Sequence, residues 1–122
     1  MNPTKYLADT NAFIYLLQKH PGIQPLLQAE WVYSFITEIE LLGKPGIKPM
    51  EVKLVRNMLL TSRKVGYDES INERTILLKQ EFNTKTPDAI IAGTALALGL
   101  PLLTADTGFL KIKSLDIILI EL

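Results

Sequence analysis

The amino-acid sequence predicts an α/β fold built on a mostly parallel sheet with helices on both faces. Short apolar runs alternate with helical patterns from one end of the chain to the other, as successive βα units do. The two late runs, 101–104 and 117–120, are apolar without alternation, which is how strands covered on both faces read. The length, 122 residues, suits one compact domain spanning 1–122 with a single sizeable core, and no linker or repeat divides it.

Each element has a local reason. Residues 5–8 (KYLA) read as a strand, and Asn11 is placed to cap a helix running to about residue 19, since Asn accepts backbone N–H bonds at that position. His20-Pro21-Gly22 breaks the helix, and a short amphipathic piece follows to Ala29. Residues 31–34, aromatic and β-branched, predict a second strand. A helix over 36–42 is stopped by Gly43, Pro45 and Gly46. Val52, Val55, Met58 and Leu59 mark one face of a helix over 50–61. A brief strand at 64–67 precedes a helix over 69–82 with Ile76, Leu77 and Gln80 spaced along it. Thr86-Pro87-Asp88 reads as a helix start with Thr86 as the cap, and Gly99 as its stop. A strand at 101–104, a short turn at 109–112 and a last buried strand at 117–120 complete the order.

Composition narrows the function. Lys+Arg and Asp+Glu both number 13, so the chain lacks the global positive field of a non-specific nucleic-acid binder. Contact with a polyanion then falls to local basic clusters or a bound cation. The absence of cysteine excludes disulfides and thiolate metal sites. With no apolar leader at the start and no apolar run of membrane-spanning length, a cytoplasmic location is expected.

In open parallel sheets ligands bind beyond the carboxyl ends of the strands. Asp9 follows the first strand there and Asp106 follows the strand at 101–104. Asp88 lies in a first helical turn with Ile91, Ala92 and Ala95 at i+3, i+4 and i+7, so it points inward. Glu40, among Ile39, Leu41 and Leu42, is expected to be partly covered. Singly, each acid has a structural explanation. Asp9 could cap, Glu40 could close a T-x-x-E capping box with Thr37, Asp88 could answer the helix dipole, and Asp106 could be a turn residue. Glu38, Glu51, Asp68, Glu69, Glu73 and Asp116 read as solvated acids, and His20 as a surface residue. Together, four segments bring an acid to one sheet edge, where like charges repel by several kcal/mol unless a hard cation neutralises them. Carboxylate oxygens suit Mg²⁺ or Mn²⁺, and such ions activate water against a phosphodiester.

The stretches LADTN (7–11), TEIELL (37–42) and TPDAIIAGTALALGLPLLTADTGF (86–109) also resemble the PIN-domain family, most closely its VapC-type toxins from bacterial toxin–antitoxin modules. The resemblance covers nearly the whole chain in the right order. It implies a three-layer sandwich around a sheet of about five parallel strands. It further implies a metal-dependent endoribonuclease in which Asp9, Glu40, Asp88 and Asp106 bind Mg²⁺ or Mn²⁺, with Asn11 and Thr104 supporting them. The family's T-x-x-E-L pattern selects Glu40 over Glu38. A homodimer and an antitoxin whose C-terminal segment blocks the groove are implied as well. RNA contacts beyond the metal would fall to scattered cations, Lys44, Lys48, Arg56, Arg63, Lys64 and Arg74, with looped or structured RNA as substrate. A receiver domain or a D-x-D phosphatase fits poorly, because Asn11 stands where the second acid is needed. A non-catalytic PIN-fold binding module is the alternative.

Overall fold

The computed structural model describes residues 4–122. Its elements run β1 (Lys5–Ala8), α1 (Thr10–Leu17), a 3₁₀ turn (Pro21–Leu26), β2 (Glu30–Ser34), α2 (Phe35–Leu42), α3 (Pro49–Leu60) and β3 (Arg63–Val65). Then follow α4 (Glu69–Glu81), α5 (Thr86–Leu98), β4 (Leu102–Thr104), a second 3₁₀ turn (Thr107–Lys111) and β5 (Ile117–Leu119). The five strands form one sheet in the order β3-β2-β1-β4-β5, and every pairing is parallel. The α/β class and the five-stranded parallel sheet are as the sequence predicts.

The period of two along each strand sorts side chains into two cores. Tyr6 and Ala8 of β1, Trp31 and Tyr33 of β2 and Leu103 of β4 join Phe13 of α1 and Val55 and Leu59 of α3. Leu7, Val32 and Leu102 point the other way, onto Leu78 of α4 and Ile91, Ala92 and Ala95 of α5. Phe13 anchors the first core by meeting Trp31 and Tyr33 edge-on, with ring centroids 5.2 and 5.6 Å apart. The result is a three-layer sandwich. Among the described residues no helix is long and apolar enough to cross a membrane.

Several boundaries differ from the sequence expectation, each for a local reason. Asp9, not Asn11, caps α1; that helix ends at Leu17, and Lys19 turns left-handed at φ 54°. Lys85, not Thr86, is the residue before α5, so Thr86 and Pro87 are already helical. The strand expected at 64–67 is Arg63–Val65, because its ladder runs from Val32↔Arg63 to Ser34↔Val65. The last strand is an edge rather than a buried strand, with Leu119 exposed. On α4 the covered face is Ile71, Thr75 and Leu78, which leaves Ile76 and Leu77 outside. Gly99 does stop α5, in the left-handed conformation at φ 66° that glycine adopts at least cost. His20 is a cap: its Nδ1 accepts the Gly22 N–H at 3.0 Å.

The chain reverses direction across the sheet at β1, which pairs with β2 on one side and β4 on the other. That switch point opens a crevice at the carboxyl ends of β1 and β4. The helix that delivers Asp88 is fixed by close packing of α4 on α5. A Cβ on Gly93 would lie 2.7 Å from Thr75 Oγ1 and 3.2 Å from the Thr75 backbone N, so the glycine permits the contact. Gly93→Ala is therefore expected to destabilise the fold by about 1–3 kcal/mol. Urea unfolding measures it, and an unchanged midpoint would show that α4 yields freely.

Candidate active site

Asp9 is the first residue beyond β1 and is only 5% exposed. Both of its carboxylate oxygens are engaged. Oδ1 accepts the Thr10 N–H at 2.6 Å, and Oδ2 accepts the Thr104 hydroxyl at 2.8 Å. Thr104 ends β4, so the parallel pairing of β1 with β4 is what puts its side chain beside Asp9. Its oxygen also accepts the Asp106 N–H at 3.0 Å, which ties the Asp106 loop to the same point. Asp106 is exposed and caps the following 3₁₀ turn through Gly108 N–H at 2.8 Å.

Glu40 reaches the crevice from α2. It is exposed rather than partly covered, and Thr10 Oγ1 donates to its Oε1 at 2.6 Å. Thr10 has one hydroxyl proton and gives it to Glu40. The 3.0 Å contact between Thr10 and Thr37 is then a donation from Thr37, producing a directed chain Thr37→Thr10→Glu40. The capping-box explanation for Glu40 fails. Ser34 caps α2 through Ile36 N–H, and Thr37 lies inside the helix, fully buried.

Asp88 sits in the first turn of α5, half-buried above Ile91, Ala92 and Ala95. The electrostatics link it to the other acids. Burial pushes the Asp9 carboxyl from an ordinary 3.8 up to about 6, opposed by the bonds from Thr104 and Thr10 and assisted by the charges of Asp88 and Glu40. Burial also raises Asp88, with Asp106 and Glu40 adding to the rise and Lys85 and Lys111 drawing it down. The four acids thus share one field around the crevice. Among the described residues no three of them converge closely enough to ligate one ion with the side chains as they stand. The donor set, all carboxylate and hydroxyl oxygen, has the hardness that Mg²⁺ and Mn²⁺ select.

A cleft of about 290 Å³ adjoins Asp88 and Asp106 and is lined also by Thr84, Lys85, Gly108 and Lys111. Of the supporting residues expected from sequence, Thr104 is in place, whereas Asn11 is exposed and makes no hydrogen bond to the acids. Thr10 and Thr37 take that supporting position instead. The only signal for them was Thr37 standing one helical turn before Glu40. Three of the cations expected to meet RNA are already paired: Arg56 and Lys64 with Glu38, at 4.0 and 3.6 Å, and Lys44 with Glu51 at 3.3 Å. Glu38 is accordingly an ion-pair hub, not a free solvated acid.

Residues 6–115 match the model of the PIN domain. The chain belongs to the PIN-domain family. This PIN domain is similar to a solved toxin–antitoxin complex from Klebsiella pneumoniae, at 30% identity over 95% of this chain and 98% of the other, with a TM-score of 0.81. It is similar to VapBC-1 from nontypeable Haemophilus influenzae at 26% identity, with 94% and 97% covered and a TM-score of 0.79. The DNA-bound VapBC from Salmonella typhimurium shares the fold at 23% identity, with 93% and 96% covered and a TM-score of 0.83. No curated protein sequence matches the chain.

The raised Asp9 carboxyl makes stability fall as pH rises. The folded state holds a proton between pH 3.8 and about 6 that the unfolded state has released. Without metal, Asp9 is thus expected to withdraw on the order of 3 kcal/mol across that window, and nothing further above it. Asp9→Asn is expected to flatten the fall and to keep or raise Tm at neutral pH. Thermal unfolding across the window, without and with Mg²⁺, measures this. An identical slope in parent and variant would remove Asp9 from the account.

Proposed function

We propose that this PIN domain is a metal-dependent endoribonuclease and the toxin of a toxin–antitoxin pair. The observation that carries the reading is the Asp9 carboxylate, kept at a sheet switch point although burial first, and then the charges of Asp88 and Glu40, disfavour its ionised form. Structural ion pairs place opposite charges together; this crevice does the reverse. Asp9, Glu40 and Asp88 would hold the divalent ion, with Asp106 completing the set. When bound, Mg²⁺ or Mn²⁺ supplies a water of lowered pKa and neutralises charge that develops at phosphorus.

The chain's own residues do the positioning. Thr104 and the Thr10 N–H fix both oxygens of Asp9 and leave each with a lone pair to spare. Thr37 and Thr10 restrain Glu40, whose exposed carboxylate would be a ligand of the ion. A carboxylate of the set takes the proton of the attacking water. Exposed apolar side chains, including Ile39, Met50 and Leu54, and an apolar groove of about 410 Å³ between α4 and α5 support assembly with other chains. A homodimer and an antitoxin are the partners proposed, and the cytoplasm, where RNA is at hand, the location. The competing reading is a non-catalytic PIN module, favoured by the lack of three convergent carboxylates among the described residues.

The partner-free protein with Mg²⁺ or Mn²⁺ is expected to cut single-stranded and looped RNA, and chelator to stop it. Asp9→Asn and Asp88→Asn should each lower the rate by about a hundredfold or more, and Asp106→Asn, from an exposed position, by about tenfold. Product analysis on gels measures this. Equal cutting by parent and Asp9→Asn would assign the activity to a contaminant. No cutting together with no Mn²⁺ binding would establish the non-catalytic module.

A further inference from the structure

Two acids of the crevice stand on segments that face each other across the 290 Å³ cleft. Asp106 opens the 3₁₀ turn Thr107–Lys111, and Asp88 lies in the first turn of α5, which the loop 82–85 feeds. The turn is seated on the second core by its buried Phe109 and by Ile112 just after it. Its last residue, Lys111, bridges the cleft: Nζ donates to the Asn83 carbonyl at 2.9 Å, 28 residues away in sequence. Among the described residues this is the one hydrogen bond between the segment bearing Asp106 and the loop that leads into the helix of Asp88. The next carbonyl is pinned from the other side, where Lys79 Nζ of α4 donates to Thr84 at 2.7 Å. Helix α5 has no side-chain cap of its own, so these two lysines do the work of fixing where it begins. Among the described residues neither lysine enters an ion pair, and each gives its ammonium to a loop carbonyl instead.

We propose that Lys111 is a positioning residue, whose strap to Asn83 sets the spacing of Asp88 and Asp106 and so their joint hold on a divalent cation. The cation itself rests on the ribonuclease reading. Strap and charge act in opposite senses, which makes them separable. The Lys111 ammonium is felt at Asp88, where it favours the ionised carboxylate, and a positive charge beside the acids opposes a second cation. Removing that charge alone would tighten cation binding. Removing the strap frees the turn to drift from α5 and weakens binding, as the loss of groups that orient metal ligands does.

The test is calorimetric titration with Mn²⁺ alone, beside amide exchange without metal and cleavage kinetics with it. Lys111→Met is expected to raise the Kd for Mn²⁺ by about tenfold. Lys111→Arg, which keeps the charge and a donor for Asn83, should bind like the parent. In Lys111→Met the Thr84 and Ala89 amides should exchange about fivefold faster, with Tm unchanged because Lys111 is exposed. The kcat should fall by about tenfold with KM for RNA unchanged. Lys113→Met, which removes the same charge from an exposed position two residues on, should match the parent throughout. Equal or tighter Mn²⁺ binding by Lys111→Met overturns the strap. So does a higher KM with kcat and Mn²⁺ affinity preserved, which would make Lys111 an RNA contact. A parent that neither binds Mn²⁺ nor cuts RNA sinks the nuclease reading instead. Amide exchange then decides the strap by itself: faster exchange in Lys111→Met sustains it, and unchanged rates overturn it.

Discussion

A carboxylate placed where the sheet would rather have an apolar residue sets the terms for everything around the crevice. Asp9 is buried at the end of the central strand, and burial alone disfavours its charge. Three groups offset that cost: the Thr10 N–H, the Thr104 hydroxyl and whatever positive charge the crevice receives. The first is provided by the turn into α1. The second requires β4 to lie in register beside β1, with Leu7 opposite Leu102 and Ala8 opposite Leu103. The order of strands is thus tied to the satisfaction of a single side chain.

The remaining acids are arranged by packing decisions elsewhere. Asp88 is positioned because α5 buries Ile91, Ala92 and Ala95 against the sheet and because Gly93 lets α4 come close behind it. Glu40 is positioned through two hydroxyls rather than by burial, and Asp106 through its own turn. The four acids therefore differ in rigidity. Asp9 is fixed and Asp88 half-covered, while Glu40 and Asp106 lie at the surface. Such a graded set keeps four bare charges from standing in contact.

The fold class was legible because parallel strands covered on both faces leave an uninterrupted apolar signal, as in Leu102 and Leu103. The positions of Asp9 and Asp106 were legible for a related reason, since strand ends can be counted from sequence. Asp88 was legible from helical spacing. Caps were harder: Asp9 stands two residues before the expected cap Asn11, and Lys85 one residue before Thr86. An apolar run such as Ile117–Leu119 does not say whether a strand is central or at an edge. The Thr37→Thr10→Glu40 chain was invisible, because it depends on the angle at which α1 meets α2. So was the Thr84 hydroxyl, which has no hydrogen-bond partner among the described residues, since an unpaired atom is a property of all its neighbours at once.

The bond between Thr104 and Asp9 joins positions 95 residues apart in sequence. On a ribosome, Thr104 emerges 95 residues after Asp9. Until β4 docks, one side of β1 is an open edge and the buried carboxylate has lost its hydroxyl donor. The crevice is completed only once β4 has been made and docked, so a nascent chain that stops short of it carries Asp9, Glu40 and Asp88 but not their arrangement.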